Sequence, residues 1–182
     1  GRVRGHELHQ HALSCAGLFL TGVGVSDSHD CNAGWLEGNN FAAYILAEAC
    51  TEEALTDSLL RGSVYSADPV RWNGDFSLEA DGCPMGSAFT CIKQSEHTAR
   101  IRLRFSARPL RLKVRSGETV LYESELQPGR HGISVPFTAV GAVEPVRAEL
   151  FDEQGRCCLL SNPVYAVTDQ GVGIPEMRRY QP

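Results

Sequence analysis

The chain has 182 residues, of which 42% are hydrophobic and 21% are charged, and its formal net charge is −5. This length can bury a core without disulfide or metal staples, and it fits one or two globular domains. The acidic balance offers no general attraction to nucleic acid, and no apolar run reaches the ~18–20 residues that span a bilayer, so neither a nucleic-acid nor a membrane partner is predicted.

The seven cysteines show no CxxC spacing, and Cys157 and Cys158 are adjacent, which is poor geometry for a mutual disulfide. We interpret the cysteines as reduced thiols, most of them small core residues, and predict a reducing compartment, the cytoplasm. The sequence begins at Gly1 rather than at methionine, and its methionines are Met85 and Met177. We therefore expect the chain to be a piece of a longer protein.

Residues 1–67 have the pattern of a short α/β segment. The order is a helix in GHELHQHALSCAG, a strand in LFLTGVGV, a glycine-containing loop at residues 26–40, a strand in FAAYILAEA and a helix in TEEALTDSLLRGS. Both strands are apolar enough to be buried on two faces, as parallel strands are. This alternation predicts a parallel α/β sheet.

The second of these helices has the clearest boundaries. Thr51 suits the N-cap, and Glu52 and Glu53 stand where the helix dipole favours negative charge. Gly62 suits the C-terminal end. The predicted apolar stripe consists of Leu55, Leu59 and Leu60.

From about residue 68 the hydrophobic pattern changes to a period of two. DFSLEADG, ARIRLRFSA, PLRLKVRSG and VRAELFDEQG each place apolar side chains on one face of an extended strand. Seven to nine such short strands, separated by turn signals over about 100 residues, predict an immunoglobulin-like antiparallel β-sandwich at residues 68–167. Residues 168–182 are predicted to be a C-terminal tail. The expected fold class is therefore α+β, with a short α/β segment followed by a sandwich.

Two potential metal ligands follow the predicted strand LFLTGVGV. Asp27 and His29 are two residues apart, so on an extended segment their side chains point the same way and could meet one ion. A carboxylate with a neutral imidazole suits Zn²⁺, Mn²⁺ or Fe²⁺. The other interpretation is an ordinary turn, in which Ser, Asp and His cap and bend the backbone. The spacing alone leaves both interpretations open, because two ligands do not complete a metal site.

The remaining histidines are interpreted as surface residues. His6, His9 and His11 could form a second ligand set, but a solvated helix face explains them better. His97 and His131 stand beside the beginnings of strands, where we expect exposed side chains.

The segments GLFLTGVGVSDSHD and NNFAAYILAEACTEEALTDSLLRGSVYSADP resemble the closing part of metallohydrolases of the polymerase-and-histidinol-phosphatase (PHP) superfamily, in particular members with an appended β-sandwich. In that family the last metal motif is an Asp-x-His after a strand, and the sandwich closes near an Asn-Pro-x-Tyr element. The corresponding residues here are Asp27-Ser28-His29 and Asn162-Pro163-Val164-Tyr165. The match covers residues 15–67, with looser agreement as far as Val167.

The resemblance implies hydrolysis of a phosphate-ester substrate by a cluster of two or three divalent metal ions. Asp27 would be a carboxylate ligand and His29 a nitrogen ligand. Other polar residues of the same loop would orient ligands or substrate, although each is equally consistent with an ordinary loop position. These residues are Ser26, Ser28, Asn39 and Asn40.

The sequence also departs from the family pattern. The family's earlier ligands, which begin with a His-x-His near the start of its barrel, have no counterpart here. His9-Gln10-His11 has the same letters, but it lies in a helical stretch just before the last barrel strand, so the role is not transferred. We expect this chain to need the missing N-terminal part of its own catalytic domain as a partner. Alone it should be inactive and hold a metal weakly, if at all.

A run of basic residues follows two of the predicted sandwich strands. If ARIRLRFSARPLRLKVR is a hairpin that turns at Arg108-Pro109, six cations share one outer face, and like charges repel across a strand pair. Acidic residues on neighbouring strands could neutralise this face, with Glu118, Glu123, Glu149 and Asp152 as candidates. The other interpretation is docking to an acidic partner, to the missing barrel or to an anionic ligand. The six residues are Arg100, Arg102, Arg104, Arg111, Lys113 and Arg115.

The sequence therefore predicts the C-terminal fragment of a PHP-type metal-dependent phosphoesterase, with Asp27 and His29 as its metal motif and an accessory sandwich. The alternative is a non-catalytic sandwich that binds a partner or a ligand and whose α/β portion is structural.

Overall fold

The computed structural model describes residues 12–25 and 41–180, which form two packed β-sheets, a short helical stretch at residues 12–15, an α-helix of three turns and a final 3₁₀ turn. The strands in this part of the chain are β1 (Ala42–Ile45), β2 (Val64–Ala67), β3 (Gly74–Ala80), β4 (Cys83–Pro84), β5 (Ala88–Thr90), β6 (Glu96–Phe105), β7 (Leu110–Ser116), β8 (Thr119–Leu126), β9 (Gly129–Thr138), β10 (Val143–Phe151), β11 (Cys157–Ser161) and β12 (Val164–Val167). The helix α1 is Glu52–Arg61 and the 3₁₀ turn η1 is Glu176–Arg178.

The strands divide between a larger sheet A and a smaller sheet B. In sheet A, β2 pairs with β1 and β11, while β10 lies between β7 on one side and β11 and β12 on the other. Strand β8 extends the sheet beyond β7, and β5 pairs with β12. Sheet B has the order β4-β3-β6-β9. The pairing of β5 with β12 is parallel, and the other strand pairs of the described residues are antiparallel.

The core lies between the two sheets. Alternate residues of β3 and β6 in sheet B, and of β7 and β10 in sheet A, are buried in a single apolar cluster. Each buried aliphatic or aromatic side chain of this kind stabilises the fold by about 1.5–3 kcal/mol. This arrangement confirms the predicted period of two and the antiparallel sandwich. The central residues are Phe76, Leu78, Ile101, Leu103, Leu112, Val114, Ala148 and Leu150.

The ends of α1 match the sequence-based prediction. The Thr51 hydroxyl accepts a hydrogen bond from the Ala54 N–H at 3.3 Å, and Gly62 ends the helix at a φ of 74°. The predicted stripe is only partly correct, because Leu60 is 51% exposed and Ser58 is buried instead. The Ser58 hydroxyl donates to the Leu46 carbonyl, which ties the helix to the end of β1.

The predicted parallel sheet at residues 1–67 is wrong within the described residues. Strands β1 and β2 pair antiparallel, with Tyr44 opposite Tyr65 and their rings stacked at 4.9 Å. Strand β1 is a partly exposed edge strand, and residues 18–25 are extended but belong to no assigned strand. The apolar runs that suggested doubly buried strands are explained by packing on one side only, a distinction that composition does not make.

Contacts cross both of the predicted domain boundaries. Strand β2, at the end of the predicted α/β segment, pairs with β11 of the predicted sandwich. In the predicted tail, Ile174 and Arg178 are buried. The boundaries at residues 67 and 167 stay predictions, but β2 pairs with a strand of the sandwich and Tyr44 of β1 packs against its core.

Strands β11 and β12 follow each other along the same side of β10, separated by Asn162 and Pro163. Proline has no N–H to donate to a strand partner, so Pro163 supplies no donor to the ladder at this point. The outer neighbour changes at the same point, from β2 beside β11 to β5 beside β12. The interruption leaves the Asn162 side chain available to bond to other segments.

Two cysteines behave as the sequence analysis expected. Cys83 and Cys158 are buried core residues, and burial raises the pKa of each thiol to about 11. In residues 12–25 and 41–180, no helix has the length and apolar character needed to cross a membrane.

Candidate functional site

The predicted metal motif, Asp27 and His29, lies outside the described residues. The loop residues proposed to support it, Ser26, Ser28, Asn39 and Asn40, also lie outside them. Among the residues that are described, no three His, Cys, Asp or Glu side chains are grouped so that they could hold a metal ion. The metal site stays a prediction, and the structure instead shows what holds residues 18–25, which we call the lead segment because it runs directly into this loop.

Asn162 holds the lead segment by its backbone. The Gly22 N–H donates to Asn162 Oδ1 at 2.7 Å, and Asn162 Nδ2 donates to the Gly22 carbonyl at 2.9 Å. The same Nδ2 also donates to the Val64 carbonyl of β2 at 2.7 Å. Because the Asn162 side chain is 2% exposed, water does not compete for these bonds. The carboxamide thus bonds to the lead segment as a neighbouring strand would.

Arg178, in η1, joins the lead segment to the end of α1 and to Gly86. Its Nη1 donates to the Arg61 carbonyl at 2.8 Å and to the Gly86 carbonyl at 2.9 Å, while its Nη2 donates to Thr21 Oγ1 at 2.5 Å and to the Phe19 carbonyl at 3.4 Å. The residue is 3% exposed, and burial lowers its pKa. The guanidinium lies at the C-terminal end of α1, where its positive charge interacts favourably with the negative end of the helix dipole.

Tyr165 supports the same segment from the core. Its ring packs edge-to-face against Phe19 at 4.8 Å, and its hydroxyl lies 3.4 Å from the Leu20 carbonyl, to which it donates. Burial raises the pKa of this hydroxyl, so it remains a donor at neutral pH. The Asn-Pro-x-Tyr element was recognised from the sequence. The structure adds that its Asn and its Tyr both form hydrogen bonds with the lead segment.

The predicted single basic face is wrong, because its two halves lie on different sheets. Strand β6 pairs with β3 and β9 in sheet B, whereas β7 pairs with β8 and β10 in sheet A. The turn at Arg108-Pro109 therefore crosses between the sheets and does not close a hairpin. Arg100, Arg102 and Arg104 project from sheet B, and Arg111, Lys113 and Arg115 project from sheet A.

The sheet A half is neutralised by acidic residues on neighbouring strands, as one of the two interpretations expected. Glu123 lies 3.5 Å from Arg111 and 3.3 Å from Lys113. Glu149, which is 3% exposed, lies 3.1 Å from Arg115 and 2.8 Å from Arg147. The other two candidates act differently, because Glu118 offers Arg115 only its backbone carbonyl and Asp152 pairs with Arg156 and Arg71.

The sheet B half keeps an excess of positive charge. Asp75 lies 2.7 Å from Arg104, and Glu79 is shared between Arg102 at 3.2 Å and Arg100 at 3.4 Å. A fourth arginine, Arg130 on β9, is directly opposite Arg104 and makes no ion pair with any residue of the described ranges. No local sequence pattern indicated Arg130, because its strand partner depends on the sheet topology.

A groove of about 440 Å³ lies on this face of sheet B. Gly132 forms part of its floor, and a Cβ built at Gly132 meets no atom within 4 Å. The missing side chain therefore leaves open space between the charged side chains that line the groove. The polar residues around the groove are Asp75, Ser77, Arg102, Arg104, Arg130 and His131.

A larger depression of about 690 Å³ lies between the end of α1 and η1. Its arginines are already engaged, since Arg61 pairs with Asp57 at 2.6 Å and Arg179 Nε donates to the Ile174 carbonyl at 3.3 Å. Glu176 lines the same depression, so this site shows no comparable excess of charge.

A chain of polar side chains links the β3–β4 turn to the start of β6. Ser95 Oγ lies 2.7 Å from His97 Nε2, and His97 Nδ1 lies 2.6 Å from Asp81 Oδ2. The Thr98 N–H donates to the other Asp81 oxygen at 3.0 Å. Burial alone would raise the pKa of Asp81, but the bonds from His97 and Thr98 outweigh it and lower that pKa.

The expectation that His97 is a surface residue is wrong. Its side chain is 9% exposed and lies between the rings of Phe89 and Phe137, at 5.2 and 5.4 Å. Ser95 Oγ also donates to the Ile92 carbonyl of its own loop, which ties the hydroxyl into the turn. We interpret this cluster as a structural clip.

No protein-family model matches the chain, and no curated protein matches it either. Among solved structures, a Niemann-Pick type C2 protein from Japanese carpenter ant is similar to 53% of this chain and to 94% of its own chain, with 11% sequence identity and a TM-score of 0.30. A similarity of this extent bears on neither the fold nor the function.

Proposed function

We propose that this chain is the C-terminal part of a PHP-type metal-dependent phosphoesterase. Asp27 and His29 are its metal ligands, and an immunoglobulin-like sandwich holds the lead segment that precedes them in the chain. The observation that carries the proposal is the grip of Asn162 on Gly22, five positions before Asp27 in the chain. The resemblance of residues 15–67 to the closing part of these enzymes supports the same assignment.

These contacts have a physical reason, because a metal ion binds more tightly when its ligands are already held in place. A ligand on a loose chain loses conformational entropy on binding, so the metal affinity falls. Three buried side chains hold the lead segment from the C-terminal part of the chain: Asn162, Tyr165 and Arg178. The role we propose for the sandwich is therefore to position the ligands, and not to perform chemistry itself.

The donor set at the motif fits a hard or borderline divalent ion such as Zn²⁺, Mn²⁺ or Fe²⁺. When bound, such ions polarise a phosphoryl oxygen and lower the pKa of a bound water. Asp27 would supply one carboxylate and His29 one imidazole, and the missing N-terminal part of the domain would supply the remaining ligands. Alone, the chain holds too few ligands to close the site.

The test is hydrolysis of p-nitrophenyl phosphate in Mn²⁺ or Zn²⁺, by this chain and by the complete product of the reading frame that encodes it. We expect no turnover from residues 1–182 and metal-dependent turnover from the complete protein. Asp27→Asn and His29→Ala should each lower that turnover by about 100-fold or more, because each removes a metal ligand. Glu153→Gln, which changes an exposed carboxylate in the turn between β10 and β11, is the control and should keep full turnover.

Two results would contradict this proposal. One is metal-dependent turnover by residues 1–182 alone. The other is a complete protein whose activity survives both ligand substitutions.

The second candidate is a non-catalytic sandwich that binds a ligand. The observation that favours it is the excess of arginine around the groove of sheet B, which the ion pairs of the fold do not neutralise. A complete protein without hydrolytic activity, but with a ligand bound at that groove, would favour this candidate over the first.

A further inference from the structure

We propose that the groove around Gly132 on sheet B is a binding site for a small, multiply charged oxyanion, such as a compound that carries phosphate or sulfate groups. Arg102, Arg104 and Arg130 would hold the anion. This site is separate from the predicted metal motif and does not depend on the phosphoesterase proposal. Its case rests on strand register, charge and the shape of the groove.

The register brings the three arginines to one face. Across sheet B, Asp75, Arg104 and Arg130 form one row of directly opposed residues, and Ser77, Arg102 and Gly132 form the next row on the same face. Adjacent rows on one face of a sheet lie within reach of long side chains. Gly132 therefore leaves a gap that is bordered by one arginine of its own row and by two arginines of the neighbouring row.

The charges of this face are unbalanced in a specific way. Arg130 lies directly opposite Arg104, and like charges in such a pair repel each other. Asp75 pairs with Arg104 from β3, on the side of β6 away from Arg130. An anion placed between Arg104 and Arg130 would replace this repulsion with two favourable contacts.

The arginines also have donors to spare. Arg102 meets Glu79 at 3.2 and 3.4 Å, longer than the 2.7–2.9 Å that is typical of charge-assisted hydrogen bonds. Arg102 and Arg104 are 61% and 63% exposed, so their side chains can turn toward a ligand. A guanidinium presents its N–H groups in a planar fork that matches two oxygens of a phosphate or sulfate.

Sheet A shows that basic residues alone do not make such a site. There the corresponding cations surround Glu123 and the buried Glu149, and two of them also lie over the Phe151 ring. On sheet B, the floor of the groove includes Gly132, which has no side chain. Arg130 has no acidic partner among the described residues. The groove volume of about 440 Å³ falls within the roughly 300–1,000 Å³ of small-molecule sites.

The test is isothermal titration of the full 182-residue chain with inorganic tripolyphosphate at an ionic strength of about 0.15 M, where the Debye length is about 8 Å. Arg130→Gln should weaken binding by about tenfold, because it removes charge-assisted hydrogen bonds. Arg111→Gln on sheet A changes the net charge by the same amount and should weaken binding by less than about twofold, since distant charges are screened. Equal weakening by the two variants would show diffuse attraction and overturn the proposal.

Gly132→Val tests the shape of the site without changing any charge. The added side chain enters open space, and valine suits a strand, so the fold should be retained. We expect about tenfold weaker tripolyphosphate binding because the groove is filled. Ser134→Val, on the same strand and the same face, is the control and should bind as the unmodified chain does.

Two further outcomes would overturn the proposal: unchanged binding by Gly132→Val, and no tripolyphosphate binding at low millimolar concentration. If an acidic peptide binds the face when tripolyphosphate does not, the groove is a protein-docking surface instead. None of these outcomes changes the assays of Asp27 and His29, so the two proposals fail independently.

Discussion

Asn162 and Gly22 are 140 residues apart in the chain, and they are joined by a pair of hydrogen bonds that resembles one rung of a β-ladder. The side-chain carboxamide takes the place of a backbone peptide group. This relationship couples the segment before the predicted metal motif to the last strands of the sandwich. The bonds form at the interruption between β11 and β12, where Asn162 lies outside both strands. Within a regular strand, its side chain would point toward one face of the sheet.

Asn162→Ala should release the lead segment. The substitution removes three hydrogen bonds and leaves buried backbone groups at Gly22 and Val64 without partners, so we expect a loss of about 2–4 kcal/mol in the free energy of unfolding. Hydrogen exchange at the Gly22 amide should accelerate by more than this global loss explains.

The control for this experiment is Ser161→Ala, one position earlier. It also removes a buried hydrogen bond, from the Ala148 N–H, but it does not contact the lead segment. Faster exchange at Gly22 in the control, to the same extent as in Asn162→Ala, would argue against a local grip.

Arg178→Met should destabilise the chain by about 2–4 kcal/mol, because the carbonyls of Arg61 and Gly86 and the Thr21 hydroxyl would lose a buried donor. Arg178→Lys should recover little, since an ammonium does not reproduce the planar fork. Urea unfolding measures both variants. Arg179→Met, the exposed neighbour, is the matched control, and equal losses at the two positions would contradict the role of Arg178.

The Asp81–His97 clip should make stability depend on pH in the acid range. The lowered pKa of Asp81 means that its contribution is fully present above the unfolded-state value of about 3.9 and is lost as pH falls through the folded-state value. Asp81→Asn should therefore lower Tm at pH 7, and the difference should disappear in strong acid. The effect should be small because the Asp81 side chain is 42% exposed. A difference that grows on acidification would reverse the sign and exclude this explanation.

Thiol reactivity should separate the cysteines by burial. Because the thiolate is the reactive form, the pKa of about 11 at Cys83 and Cys158 predicts slow alkylation of the folded chain at pH 7.5. Among the cysteines of the described residues, the exposed Cys50 should react with iodoacetamide first, because burial raises the pKa of the other exposed thiol, Cys15. Peptide mapping by mass spectrometry measures the order, and unfolding in urea should abolish it. Rapid labelling of Cys158 in the folded chain would contradict the buried position of that thiol.

Local patterns predicted much of the fold. The alternation in ARIRLRFSA and PLRLKVRSG correctly gave the inward faces of β6 and β7, and Thr51 and Gly62 correctly marked the ends of α1. These features depend on neighbours within a few residues, so they can be recognised in a single sequence. The Asn-Pro-x-Tyr element was found in the same way, as a short motif, although its contacts were not.

What the sequence determined by itself, then, is which side chains point inward along β6 and β7 and where the helix α1 begins and ends. The tertiary structure decided which strands are neighbours: β6 and β7 separate into two sheets, β1 and β2 pair antiparallel, and Arg130 comes to lie opposite Arg104. The physical reason is that each strand could pair with several segments that are distant in the chain and have similar local patterns. Which pairing forms depends on how the whole core packs, and no short stretch of the chain contains that information.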